Sequence, residues 1–222
     1  MAESIDELKT VAQFIAEKIE EGVLTGDFPL GTRLVQTQLS EMFGVSRLPV
    51  RDALHILEQK GLVIQLPRKG VIIRPINLKE IENLFELREV LETYSAAISI
   101  PYLVQTDIDE LQSLIAQQDS CQGQLLRTID TDEQFHDKLL SHCENEELMD
   151  TLHNTWRKIR VYRAFIHRLD SFNDESVQSH KNILHAITSH KPDRAVQFLK
   201  ESIIRAKNRS VKLISYHEQF TE

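Results

Sequence analysis

The sequence predicts a mainly α-helical protein, in which an N-terminal winged helix-turn-helix precedes an all-α bundle of six or seven helices. Only 7 glycines and 6 prolines occur in 222 residues, which favours long helices over a turn-rich sheet fold. Helical patterns and one hairpin pattern fill the first 75 residues, and helical patterns alone fill the rest. We therefore expect one domain at residues 1–75 and a second at 76–222.

Composition sets the class of protein and its compartment. Hydrophobic residues make up 41% and charged residues 27% of the chain, as in ordinary globular proteins. The start of the chain is polar and acidic, and no run of 18 apolar residues follows, so we expect neither a signal peptide nor a membrane span. Cys121 and Cys143 lack metal or redox spacing, which favours a reducing cytoplasm.

The first domain is predicted from three helices and a hairpin. Apolar residues recur at helical spacing over 7–24, and after a Gly-Asp-Pro break a second helix runs to Phe43, with Gly44 as its left-handed end. Ser46 suits an N-cap for the third helix, and Pro49 falls in its first turn, where proline is tolerated. Two β-branched runs around the four-residue loop "PRKG" predict the hairpin.

Charge separates the two domains. Between Phe28 and Pro75 there are seven cations and three anions, a net charge of +4, which leaves −12 for the rest of a chain whose total is −8. Basic modules commonly meet phosphate. The charge distribution therefore predicts that the first domain binds nucleic acid.

Two arginines begin the third helix. Arg47 and Arg51 are one i,i+4 step apart and leave the same face, and arginine's planar fork suits a guanine edge or a phosphate. Arg68 and Lys69 at the hairpin tip would form a basic wing. The alternative is that these are solvated surface cations and that the hairpin only stabilises the fold.

The stretch "GTRLVQTQLSEMFGVSRLPVRDALHILEQKGLV" followed by "PRKGVII" closely resembles the N-terminal domain of the GntR family of bacterial transcriptional regulators. The resemblance spans about 45 residues and implies binding to double-stranded DNA. Leu48 stands where the family usually has threonine, and an apolar side chain there would suit a thymine methyl. Thr37 and Gln38 stand where many members carry a charged pair. The residues that we expect at the DNA are Arg33, Thr37, Gln38, Ser46, Arg47, Leu48, Pro49, Arg51, Arg68, Lys69 and Gly70.

The bundle contains a candidate metal site. Asp132 and His136 lie at i,i+4 on one helix, and His180 lies on a later helix, so the three are able to hold a divalent transition metal inside a bundle. The alternative is that Asp132 simply pairs with His136 on the surface, because nine histidines in the chain produce such spacings by chance.

The segments "LFELREVLE", "DEQFH" and the region of His180 are similar to the FCD effector domain of the FadR subfamily. That resemblance implies a metal held by Asp132, His136, His180 and a further histidine about 22 residues later. Ser202 falls at that last position. Zinc or nickel with water completing the sphere, or a metal-free effector pocket, both remain open.

Arginines are the candidates for binding a carboxylate effector in the bundle. Arg88 would pair with it in the interior, or alternatively pair with Glu92 on a solvated face. Arg160 and Arg163, on the long helix near Trp156, would also line the cavity, and Ser202 completes the effector set.

Together these features predict a homodimeric, ligand-responsive transcriptional repressor that reads a palindromic operator and is not an enzyme. A metal-dependent enzyme using Asp132, His136 and His180 is the first alternative, although no catalytic motif accompanies the three residues. A protein-interaction adaptor is the second, and the retained arginines argue against it.

Overall fold

The structure is a computed structural model that describes residues 10–68, 70–121, 124–169 and 173–221. The chain divides into two compact units between Ile76 and Asn77. The mainly helical fold with its helix-turn-helix and hairpin is as predicted. No helix among the described residues is both long and apolar enough to cross a membrane.

The first unit has three helices and a small sheet. The elements are α1 (Val11–Thr25), β1 (Arg33–Leu34), α2 (Gln36–Phe43), α3 (Arg47–Gln59), β2 (Val63–Leu66) and β3 (Gly70–Ile73). Helix α1 packs on α3, and Ile15 and Ile19 of α1 and Val50 and Leu57 of α3 are each at most 1% exposed. Burying a side chain of this size contributes about 1.5–3 kcal/mol, so this pairing holds α3 with its opposite face outward.

Of two predictions for the turn before α3, one is confirmed and the other is wrong. Gly44 adopts the left-handed conformation with φ of 65°, as the sequence predicts. Ser46 occupies the N-cap position, but its side chain makes no capping hydrogen bond, which corrects the prediction that it caps α3. The chain direction is therefore set by the glycine turn and by the buried stripe of α3.

The hairpin is tighter than predicted. Gly70 already pairs with Leu66, so the loop has three residues rather than four. Arg68 takes a left-handed φ of 63°, and Gly70 one of 77°. A left-handed conformation costs a non-glycine residue about 1–2 kcal/mol, so the backbone at the tip holds Arg68 in a strained position. The sheet order is β1-β3-β2, all antiparallel.

The second unit contains six α-helices among its described residues, together with a short 3₁₀ turn at Ile100–Tyr102. The helices are α4 (Leu78–Ser99), α5 (Gln105–Ser120), α6 (Leu125–Leu139), α7 (Glu146–Leu169), α8 (Asn173–Thr188) and α9 (Pro192–Thr221). Helix α4 packs on α7 and α9, while α5 packs on α6 and α8. This arrangement brings α4, α6, α7, α8 and α9 around one interior region.

Candidate functional site

The first candidate surface is the outward face of α3. Arg47, Leu48 and Arg51 are all exposed, while Val50 and Ala53 on the other side are fully buried. The guanidinium of Arg51 lies 3.5 Å from Asp52, in a pair so exposed that it contributes little. The cations at the start of α3 are thus available to a ligand in solution.

The predicted wing lies on the same unit. Arg68 is exposed at the hairpin tip, and the Arg33 guanidinium runs beside Gly70, 3.7 Å from where a Cβ would stand. Lys69, the other predicted wing cation, lies outside the described residues. Of the remaining predicted DNA-contacting residues, Gln38 and Ser46 are exposed, and Thr37 and Pro49 are half-buried.

The second candidate site is a buried cluster in the bundle. Asp132 and His136 project from α6 and His180 from α8, and their potential ligand atoms all lie within 4.8 Å of one another. The two imidazole Nε2 atoms are 3.3 Å apart, and the Asp132 oxygens lie 3.6 and 3.8 Å from them. All three residues are at most 4% exposed, so the surface pairing considered above is wrong.

This geometry fits a metal ion. Bonds of about 2.0–2.1 Å at tetrahedral angles place two ligand nitrogens roughly 3.3 Å apart, which is the separation of the two Nε2 atoms. The outer ring nitrogens also have partners suited to ligand histidines. His180 Nδ1 lies 2.8 Å from Gln118 Oε1, and His136 Nδ1 lies against Glu92 Oε1. With protons on the Nδ1 atoms, the two Nε2 atoms carry the lone pairs that a metal would use.

Gln118 also fixes the carboxylate of the cluster. Its amide nitrogen donates to Asp132 Oδ1 at 3.2 Å, and the Ser176 hydroxyl donates to the same oxygen at 2.6 Å. The amide oxygen is thereby directed at His180 Nδ1, which must be the donor. One side chain therefore sets both the orientation of Asp132 and the tautomer of His180.

Two arginines contact the atoms that would coordinate a metal. Arg163 Nη1 is 2.8 Å from Asp132 Oδ2, and Arg88 Nη2 is 3.3 Å from His136 Nε2. Burial opposes ionisation of Asp132, but Arg163, the two histidines and Arg88 outweigh it and hold the pKa of that carboxyl well below its usual range. Burial lowers the pKa of His180 to about 3, so its imidazole is neutral at pH 7.

Arg88 is also half of a buried ion pair. Its Nε donates to Glu92 Oε2 at 2.7 Å, with Arg88 6% and Glu92 0% exposed. The pairing at i,i+4 exists, but the alternative that it lies on a solvated face is wrong. Burial opposes the ionisation of Glu92, yet Arg88 and His136 more than offset it, so the pKa of Glu92 stays far below its usual range. Trp156 Nε1 completes the set, 3.0 Å from Glu92 Oε2.

A cavity of about 90 Å³ opens beside the cluster. Three of the predicted effector-binding residues, Arg88, Arg163 and Ser202, line it together with Arg205 and further serines of α8 and α9. Arg160 is not among the residues of this wall, because Asp130 and Glu133 hold its guanidinium elsewhere. The expectation that Arg160 lines the cavity is therefore wrong.

Sequence reasoning missed Gln118, Ser176 and Arg205. It named Glu92 only as a partner of Arg88 on a solvated face, and Trp156 only as a neighbour of the arginines on the long helix. Only Glu92 carried a signal, which was its i,i+4 spacing from Arg88. That spacing did not place Glu92 in the interior, because it predicts the same ion pair on a buried helix face and on a solvated one. The others are brought in from helices distant in sequence.

A winged helix with exposed cations on its third helix, followed in the chain by a helical domain with a charged interior cavity, defines a DNA-binding transcriptional regulator. The model of the gntR family of bacterial regulatory proteins matches residues 11–73, and that of the FCD domain matches residues 83–205. The chain belongs to this family of GntR regulators with an FCD domain.

The chain is similar to known relatives over most of its length. The chain is 26% identical over 186 residues to the uncharacterized HTH-type transcriptional regulator YdhC of Bacillus subtilis, covering 81% of this chain and 82% of the relative. It is 24% identical to the gluconate operon transcriptional repressor of Bacillus licheniformis, covering 94% and 81%. The solved structure of Escherichia coli McbR/YncC superimposes with a TM-score of 0.74 at 17% identity, over 95% of this chain and 100% of that one, and shows the fold.

The buried ion pair yields a stability prediction. Replacing Arg88 with methionine leaves the Glu92 carboxylate buried with one partner fewer, and we expect a loss of about 3–5 kcal/mol in the free energy of unfolding. Arg160→Met is the matched control, since its ion pairs are nearer solvent and we expect it to cost only about 1 kcal/mol. Urea denaturation measures both. Equal losses of unfolding free energy in the two variants would show that the buried Arg88–Glu92 pair contributes no more to stability than the ion pairs of Arg160.

Proposed function

We propose that this protein is a ligand-responsive repressor that binds a palindromic operator as a homodimer and releases it when an effector occupies the bundle cavity. The observation that carries the DNA-binding part is the exposed pair Arg47 and Arg51 on a helix whose other face is fully buried. Repression is supported by the name of the gluconate operon transcriptional repressor, which resembles this chain over most of both lengths.

The contacts that we propose at the operator fall into two kinds. Arg47 and Arg51 enter the major groove with Leu48 between them, 57% exposed and able to meet a thymine methyl. The phosphates beside the groove would be contacted by Arg33, Arg68, Lys69 and the backbone at Gly70. The turn before α3 would be positioned by Thr37, Gln38, Ser46 and Pro49. The first set selects sequence, and the second set contributes affinity that depends on salt.

The DNA proposal predicts a selective effect of arginine removal. Arg47→Ala and Arg51→Ala should each weaken binding to DNA from upstream of the protein's own gene by about 1–3 kcal/mol. Fluorescence anisotropy across a salt series measures this, and the salt slope should change little, because these two arginines are assigned to bases and not to phosphates. Arg127→Ala, an exposed arginine of the second unit, is the control. An affinity for DNA that changes neither with salt concentration nor with substitution of Arg47 and Arg51 would contradict the proposal of a DNA-binding regulator.

The effector site that we propose is the charged cavity. Asp132, His136 and His180 would hold a divalent metal, zinc or nickel, which supplies positive charge and open coordination positions. Arg88 and Arg163 would turn from the ligand atoms to an effector carboxylate. Because the cluster already pairs two buried carboxylates with two guanidiniums, the added charge of a divalent ion favours an anionic effector.

Metal content tests this part directly. The wild type dialysed against zinc or nickel should retain about one ion per chain, and Asp132→Asn and His136→Ala should lose it, because three ligands are near the minimum for a stable site. His153→Ala, a half-buried histidine on α7 that lies 2.8 Å from Asp137, serves as the control. Elemental analysis gives the stoichiometry. Equal metal content in all four proteins would show that Asp132, His136 and His180 do not form the metal site.

The homodimer proposal is supported by an apolar stripe on α4. Leu87, Val90 and Tyr94 lie at steps of three and four residues on one face and are 42%, 65% and 58% exposed. Neighbouring apolar groups exposed at helical spacing are costly in water and typical of an interface between helices. A second copy of the same stripe, related by a two-fold axis, would cover it.

A charge in this stripe should separate the dimer. We expect Val90→Glu to convert a dimeric wild type to a monomer with little change in helicity, because a carboxylate cannot be buried unpaired at a subunit contact. Val11→Glu, a valine of similar exposure in the first unit, is the control. Light scattering after size-exclusion chromatography measures the mass. A Val90→Glu dimer would place the interface elsewhere.

A further inference from the structure

We infer that Asp52 is a further base-reading residue of α3, and that Arg51 and Asp52 together recognise one G·C base pair. The Asp52 carboxylate accepts a hydrogen bond from the cytosine amino group while Arg51 donates to the guanine. This inference rests on the DNA binding of the proposed function and adds the residue that selects cytosine. It comes from the direction in which Asp52 leaves the helix and from its contact with Arg51.

Asp52 lies near the middle of the outward face of α3. The buried stripe of this helix, at most 3% exposed throughout, consists of Val50, Ala53, Leu54 and Leu57. At roughly 100° per residue, the direction opposite to that stripe passes between Leu48 and Asp52, and Arg51 lies roughly 70° to one side of it. A surface that meets the outward face of α3 therefore meets Asp52 at least as directly as Arg51.

The Asp52 carboxylate is able to accept hydrogen bonds from a ligand. Its side chain is 52% exposed, and its one ion-pair contact among the described residues is to Arg51, with 3.5 Å between Oδ1 and Nη2. That distance exceeds the about 2.7–3.2 Å of an ordinary N–H···O hydrogen bond, so the lone pairs of both oxygens remain available. Asp52 is the sixth residue of α3, and the N-terminal residues of a recognition helix are those that reach base edges.

A carboxylate at this position discriminates strongly between bases. It has no hydrogen to donate to guanine N7, guanine O6 or thymine O4, and the phosphates repel it. Only cytosine and adenine present an amino donor in the major groove. The adenine amino group lies between two acceptors, adenine N7 and thymine O4, whereas the cytosine amino group has one neighbouring acceptor, guanine O6. Asp52 therefore favours cytosine and disfavours the other bases.

The separation of the two head groups suits the edge of a single G·C pair. Guanine O6 and cytosine N4 are joined by a Watson–Crick hydrogen bond and lie about 2.9 Å apart. Arg51 Nη2 and Asp52 Oδ1 are 3.5 Å apart, with the donor able to meet guanine O6 and the acceptor able to meet cytosine N4. The contact also draws together two side chains that leave the helix about 100° apart. The pair is thus arranged to read both bases of one pair.

The base preference of an Asp52→Asn variant tests this inference. Selection from a pool of duplexes with a randomised central segment gives the preferred sequence of the full-length wild type and of each variant. An asparagine amide binds adenine N6 and N7 together, so we expect Asp52→Asn to change one cytosine of each half-site to adenine. Asp52→Ala should accept any base there. Arg51→Ala should lose the preference for the guanine paired with the same cytosine.

Affinities for matched duplexes measure the size of the effect. Fluorescence anisotropy compares the sequence that the wild type selects with the same duplex carrying A·T in place of that C·G pair. We expect the wild type to prefer the cytosine duplex by about 10-fold, since a hydrogen bond to a charged group contributes roughly that factor. Asp52→Asn should prefer the adenine duplex by a similar factor.

Glu58→Gln is the matched control for the change of charge. Glu58 is an acid of similar exposure, 48%, further along the same helix. Removing either negative charge should tighten binding to duplexes that lack the selected sequence, because phosphates repel both side chains. Only the change at Asp52 should alter the preferred base.

The outcomes distinguish this inference from the proposed function. If Asp52→Asn and the wild type select the same sequence, the regulator stands and the base-reading role of Asp52 is wrong. If Arg51→Ala relaxes a different base pair from Asp52→Asn, the two residues do not read one pair. A change of preferred base in Glu58→Gln equal to that in Asp52→Asn would also overturn the inference. A wild type that selects no sequence would contradict the proposed function itself.

Discussion

The bundle depends on keeping one carboxylate ionised where no water reaches it. Glu92 is fully buried, and its oxygens are met by Arg88 from the same helix, His136 from α6 and Trp156 from α7. An unpaired charge at that depth would cost several kcal/mol, so the three helices must hold these partners in place together. The geometry of the candidate metal ligands follows from this, because the ring of His136 is oriented by the same carboxylate.

Local sequence signals predicted the first unit well. The Gly44 turn, the buried stripe of α3 and the hairpin each rest on residues close together in the chain, where backbone conformation and side-chain periodicity decide the outcome. The errors there are of detail. Ser46 has the right position without the capping bond, and Gly70 belongs to β3 rather than to the loop.

The bundle interior was harder to predict for a physical reason. Spacing showed that Asp132 and His136 share a face of α6, but whether that face is wet or buried depends on helices that pack against it from elsewhere in the chain. Arg88 and Glu92 were ambiguous for the same cause. Gln118, which orders both Asp132 and His180, joins the site only because α5 packs on α6 and α8.

Trp156 gives the buried network an optical consequence. It is the only tryptophan in the sequence, its indole N–H donates to Glu92, and its ring centroid lies 6.2 Å from that of His136. Indole emission responds to nearby charges and to the loss of such a hydrogen bond. Any rearrangement of Glu92 or His136 will therefore change the intrinsic fluorescence, and the unlabelled protein can report occupancy of its interior while it is bound to DNA.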